Sequence, residues 1–104
     1  MVYGFVMAVE DRIAKQMRVL GQRFRVRCSE RGVALSRACD ERDLASVRSF
    51  AHDITGSAGL FGFPALSQEA RQLSEACRKG CEEETFRMAQ ALSASMLALA
   101  AKED

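Results

Sequence analysis

The chain has 104 residues, 48% of them hydrophobic and 28% charged, which suits one globular domain with a single core and excludes a second domain of comparable size. Its net charge is +1, so nothing in the charge balance calls for nucleic acid or a membrane as partner. The charge is uneven: residues 1–52 carry ten Lys/Arg against six Asp/Glu and residues 53–104 carry five against eight, that is +4 and −3.

The apolar start, Met1 to Val9, includes Val2, Tyr3, Phe5, Val6 and Met7. It has no basic residues before the apolar stretch and is far shorter than a membrane span. It reads as a short N-terminal extension docked on the rest of the domain, and the chain is expected to be cytoplasmic.

From Val9 to Cys39, apolar residues fall mostly three or four apart, at Ile13, Met17, Leu20, Phe24, Cys28, Leu35 and Ala38. That predicts one long amphipathic helix, or two joined near Gly21 or Gly32. The polar run Asp40-Glu41-Arg42-Asp43 interrupts the pattern, and Asp43 is a good N-cap for the next element. Leu44, Val47, Ala51, Ile54, Ala58 and Phe61 then follow at intervals of 3, 4, 3, 4 and 3, the buried stripe of a bundle helix. Gly62 ends it and Phe63-Pro64 restarts the chain, proline being tolerated in a first helical turn.

A third helix, from about Pro64 to Lys79, turns Leu66, Ala70, Leu73 and Cys77 inward and stops at Gly80. The acidic run Glu82-Glu83-Glu84 suits the positive end of a fourth, whose inward residues are Phe86, Ala89, Leu92, Met96 and Leu99, ending near Ala101. No window alternates as a strand would, and the connections are short. The fold class is therefore all-α: an up-down antiparallel four-helix bundle over residues 1–104.

Cys28, Cys39, Cys77 and Cys81 each fall near an apolar helical stripe, where a reduced thiol acts as a small hydrophobe. Cys77 and Cys81 share a face at i, i+4, but no second Cys/His pair has zinc-site spacing. A thiol sensor or metal protein built on that pair would require exposed, reactive thiols.

His52 is the only histidine, and imidazole is the side chain that serves as base, nucleophile or acid near neutral pH. On the regular second helix it lies one residue, about 100°, from the buried Ala51. Its neighbours along that flank are Arg48, Thr55, Gly56 and Gly59. Glycine in mid-helix costs about 0.5–1 kcal/mol relative to alanine. Two glycines beside an imidazole leave room either for an approaching molecule or for a closely packed helix. Arg48 supplies a cation and Thr55 a hydroxyl donor.

The stretch His52-Asp53-Ile54-Thr55-Gly56-Ser57-Ala58-Gly59-Leu60-Phe61-Gly62, with Leu66 and the Ala70/Leu73 helix after it, resembles the histidine-containing phosphotransfer (HPt) domain, with its H-x-x-K-G-x-x-x-x-x-G type of motif in a four-helix bundle. The resemblance extends from roughly Ile13 to Leu99. It implies a carrier that takes a phosphoryl group from the phospho-aspartate of one receiver domain and passes it to the aspartate of another, as in a hybrid kinase and a response regulator. His52 would be the acceptor and Gly56 would leave room beside it. Such a carrier is no independent ATP-dependent kinase and needs no cofactor of its own, Mg²⁺ being held by the receiver. This chain departs from the motif at Thr55, where family members commonly carry lysine.

Substitutes for that lysine are available nearby. Arg48 lies one turn before His52, and on the facing helix Arg71, Ser74 and Arg78 line one flank of the stripe. Arg71 or Ser74 would support the imidazole or phosphate, and Gly59 and Arg78 would belong to the partner surface. The Arg-rich half would complement an acidic receiver site, and the carrier is expected to be a monomer. Two other readings remain: a receiver- or kinase-binding module of the same fold that does not use phosphotransfer, and a histidine-kinase dimerisation domain, although no ATP-binding domain follows in this sequence.

Overall fold

A computed structural model describes the backbone over residues 2–102 and the side chains over residues 8–102. The described backbone forms four helices: α1 (Val2–Asp40), α2 (Leu44–Leu60), α3 (Pro64–Lys79) and α4 (Glu82–Ala101). α1 packs chiefly on α4 and α2 on α3, with α3 against α4 closing the bundle. Connections this short force successive helices to run antiparallel.

The core is the one that the spacing predicts in α2, α3 and α4. Val47, Ala51, Ile54 and Ala58 are buried from α2, with Leu44 and Phe61 half-buried at its ends. Leu66, Ala70, Leu73 and Cys77 face them from α3, and Phe86, Ala89, Leu92 and Met96 from α4, while Leu99 is half-buried. α1 contributes Phe24, Cys28, Leu35, Ala38 and Cys39.

The turns follow their residue chemistry. Asp43 caps α2, its carboxylate accepting from the Ser46 hydroxyl at 2.6 Å and the Ser46 N–H at 3.1 Å. At the other end Gly62 adopts φ +92°, which lets the Phe63 N–H reach back to the Ala58 carbonyl, a Schellman-type stop. Pro64 then opens α3, and Gly80, also left-handed, ends it.

Those two bonds, the hydroxyl first, hold the Asp43 carboxyl below its ordinary pKa. A group so depressed stabilises the fold above its unfolded pKa of about 3.9 and loses that contribution as pH falls through the folded value. Chemical-denaturation midpoints measured from pH 5 downward are therefore expected to fall less steeply for Asp43→Ala than for the parent chain. Equal slopes would remove Asp43 from the acid response.

Three expectations need correction. α1 is a single uninterrupted helix, so the N-terminal extension is a continuation of it and no separate docked segment. The side chains of Val2, Tyr3, Phe5, Val6 and Met7 lie outside the described residues, but every residue from Ala8 to Leu20 is exposed, including Ile13, Met17 and Leu20. Their periodicity is amphipathic, yet the other helices are too short to cover them. The single helix is the first of the two forms expected, and Gly21 and Gly32 mark close approaches within it. A Cβ on Gly21 would lie 3.1 Å from the Phe61 carbonyl oxygen, and one on Gly32 3.0 Å from Leu97. The Gly32 carbonyl accepts the Ser93 hydroxyl at 2.6 Å.

The third correction concerns the thiols. Cys28, Cys39 and Cys77 are buried, and burial pushes each thiol above its ordinary pKa. Cys81 is exposed. It is the N-cap residue of α4, across the Gly80 stop from Cys77, so the two share no helix face. Among the described residues no three His, Cys, Asp or Glu side chains gather as metal ligands would. A thiol reagent is expected to label the folded chain once, at Cys81, with the other three reacting only on unfolding. Fast labelling at Cys77 would contradict its buried position.

No described helix is long and apolar enough to cross a membrane.

Candidate functional site

His52 lies near the middle of α2, directly after the fully buried Ala51 and two residues before the fully buried Ile54. Those anchors fix the helix rotation and leave the imidazole exposed. Among the described residues no hydrogen bond or ion pair engages it.

The two glycines on its flank differ. A Cβ on Gly56 would meet nothing within 4 Å. The bundle therefore has no use for its missing side chain, and the helix bears the conformational cost of glycine without an internal return. A Cβ on Gly59 would lie 3.3 Å from the Ser67 hydroxyl. That hydroxyl donates to the Thr55 carbonyl at 2.7 Å. Gly59 thus admits the Ser67–Thr55 link between α3 and α2 while itself remaining exposed.

Thr55 departs from expectation. Its hydroxyl donates to the Ala51 carbonyl at 2.7 Å, the back-bond typical of a helical threonine. In this arrangement the hydroxyl proton points to the backbone and away from His52.

The cations come from both helices. Arg48, one turn before His52, is exposed and close enough to Cys77 for its charge to oppose the rise that burial causes there. The Ser67–Thr55 bond and the Arg48–Cys77 proximity set the antiparallel register of α2 and α3. They run the α2 flank of Arg48, His52, Thr55 and Gly59 alongside the α3 flank of Ser67, Arg71, Ser74 and Arg78. Arg71 is exposed and Ser74 half-buried. Among the described residues neither the Arg48 nor the Arg71 guanidinium has an ion-pair partner. Arg78, by contrast, pairs with Glu75 on its own helix, which occupies it without removing its charge.

Two features here were not anticipated. The carboxylate next to the imidazole, Asp53, is paired with Arg31 of α1 at 3.5 Å, and the Arg31 guanidinium lies 5.7 Å from the centre of the Phe50 ring. This pair offsets the negative charge nearest His52 and leaves Arg48 and Arg71 to set the local field. Residues 31 and 53 are brought together only by helix packing, so no sequence signal exposes the pair. Leu60, eight residues after His52, is 65% exposed. It was legible as an apolar residue one position off the buried stripe.

The site is thus an exposed imidazole beside open space, with two guanidinium groups that have no ion-pair partner among the described residues and the adjacent carboxylate facing Arg31. Among the described residues no cluster of His, Cys, Asp or Glu gathers there as metal ligands would, and the imidazole is open to solvent. Comparison with curated proteins and with solved structures finds no match. A family model described as the Hpt domain matches residues 19–102, from the last turn of the α1 overhang to the end of the described chain. That match takes in the whole bundle and the helix bearing His52: the chain belongs to the Hpt domain family, whose members serve histidine phosphotransfer in phosphorelays and interact with receiver domains of two-component systems.

Proposed function

We propose that this chain is a phosphorelay carrier in which His52 accepts a phosphoryl group from the phospho-aspartate of one receiver domain and passes it to the aspartate of a second. The observation that carries the proposal is the pairing of an exposed, unengaged imidazole with open space at Gly56. A ring nitrogen attacks phosphorus with its lone pair, the acyl phosphate P–O bond breaks, and the receiver's carboxylate leaves. The ring proton passes to solvent, and the reverse sequence delivers the group onward. Such transfer depends on in-line positioning and charge neutralisation more than on covalent help from the carrier.

Arg48 and Arg71 fill the role of the cation that Thr55 cannot supply, and Ser74 is within the same flank. Mg²⁺ belongs to the receiver's acidic site, towards which the +4 half of this chain gives favourable steering. The test is a relay in two steps. A charged receiver should lose its phosphate to this chain, and the isolated phospho-form should then charge a second, unphosphorylated receiver. Receiver binding that persists with no transfer in either direction would support the interaction-module reading instead.

A further inference from the structure

α1 has 39 residues, while the helices it packs against have 17, 16 and 20. At 1.5 Å per residue it is about 58 Å long, and it accounts for the 59 Å long axis of the molecule. The excess lies at its N-terminal side, since among the described residues the first buried one is Gly21 and all of Ala8 to Leu20 is exposed. On this overhang Val9, Ile13, Met17 and Leu20 form one apolar stripe, 36%, 53%, 39% and 38% exposed. The stripe continues the line of Phe24 and Cys28 that faces the core, but among the described residues no other helix covers Val9 and Ile13. At its base a groove is lined by Met17, Gly21, Phe61 and Phe63. A second crevice, on Phe63, Leu66 and Leu99, opens at the same end of the bundle. An unsupported helix of this length is marginal in water.

We infer that the overhang is the interface of a homodimer, in which two copies of α1 cross antiparallel and the tip of each lies over the end of the other's bundle. An overhang above a bundle end is a step, and a step is self-complementary under two-fold rotation. Area selects this arrangement. A helix face about 10 Å wide and about 20 Å long offers a strip of about 200 Å², far below the roughly 800 Å² per partner of a stable interface. The antiparallel crossing adds Phe61, Phe63 and Leu99 of the bundle end, whereas a parallel pairing leaves them uncovered. Charge disfavours the parallel alternative: there Arg12, Lys15 and Arg18 would each meet their own copies, whereas a crossing near residue 11 brings Glu10 opposite Arg12 and carries Lys15 and Arg18 away from their copies, with Asp11 alone opposite itself. The overhang runs from Val2 to Leu20, which places the crossing near residue 11. His52 lies about 12 Å along α2 from the bundle end and stays accessible, so the dimer is independent of the proposed transfer chemistry.

The test is the mass of the whole chain in solution by light scattering and sedimentation, from about 1 to 100 µM, the range of moderate protein association. The parent chain should shift to the dimer mass, and the Ile13→Glu/Met17→Glu double variant should remain a monomer with its bundle folded by circular dichroism. Register is read by cross-linking in a Cys81→Ser background. Mixed Val9→Cys and Ile13→Cys chains should form a 9–13 disulfide in preference to 13–13. A parent chain that stays monomeric, a dimer that survives the double substitution, or dominant 13–13 cross-links would each overturn the inference. So would a monomer that binds anionic phosphatidylserine vesicles through Ile13 and Met17, which would assign the stripe to a lipid surface.

Discussion

His52→Gln is expected to lower phosphoryl uptake from a charged receiver by at least about 1,000-fold while leaving the bundle intact. Glutamine keeps polarity and much of the volume of histidine but has no nucleophilic lone pair on nitrogen, and removing the attacking group removes the step itself. The substitution is safe structurally because the imidazole is exposed and no hydrogen bond or ion pair among the described residues engages it. Changes at such surface positions usually stay within about 0.5 kcal/mol. Thermal melts of the two chains should therefore coincide, and uptake followed by radiolabel should separate them. Uptake that survives the substitution would move the acceptor away from His52.

Gly56→Leu is expected to act on stability and function in opposite directions. A side chain there enters open space, and replacing a mid-helix glycine with a strong helix former gains about 0.5–1 kcal/mol. The same side chain would occupy the space through which a receiver's acyl phosphate must reach the imidazole. Displacing reacting groups by about 1 Å costs on the order of 100-fold in rate, and transfer should fall by at least that factor. A denaturation midpoint that rises while transfer collapses would identify Gly56 as space kept for the partner. Unchanged transfer in the stabilised variant would show that the receiver approaches from another side.

What was legible in the sequence was whatever one helix decides by itself. The 3–4 spacing of Val47, Ala51, Ile54 and Ala58 gives the rotation of α2, and with it the exposure of His52. Asp43, Gly62, Pro64 and Gly80 act within a few residues of themselves, and each lies where its local chemistry puts it. Contacts between helices were not legible, because register across an interface leaves no periodic trace. The Arg31–Asp53 pair and the Ser67–Thr55 bond are of that kind. Thr55 misled for a different reason: a helical threonine can turn its hydroxyl outward or back onto the carbonyl one turn earlier, and its type does not reveal which.

α1 shows the same limit on a larger scale. Ile13, Met17 and Leu20 have the spacing of a core stripe, but periodicity records that a face is apolar and not what covers it. Only the lengths of the other three helices reveal that this face extends past the bundle. Cys81 failed as a core residue because the helix that would have carried it inward stops at Gly80.

The site and chemistry of the phosphate provide the most direct measurement. After exposure to a charged receiver domain, the chain should carry one phosphate, stable in base and lost in mild acid as phosphohistidine is. Tryptic mapping at alkaline pH should place it on the peptide from Ser49 to Arg71, at His52. A phosphate that survives acid on one of the serines or threonines of that peptide, or no phosphate from any receiver while the bundle remains folded, would contradict the carrier role.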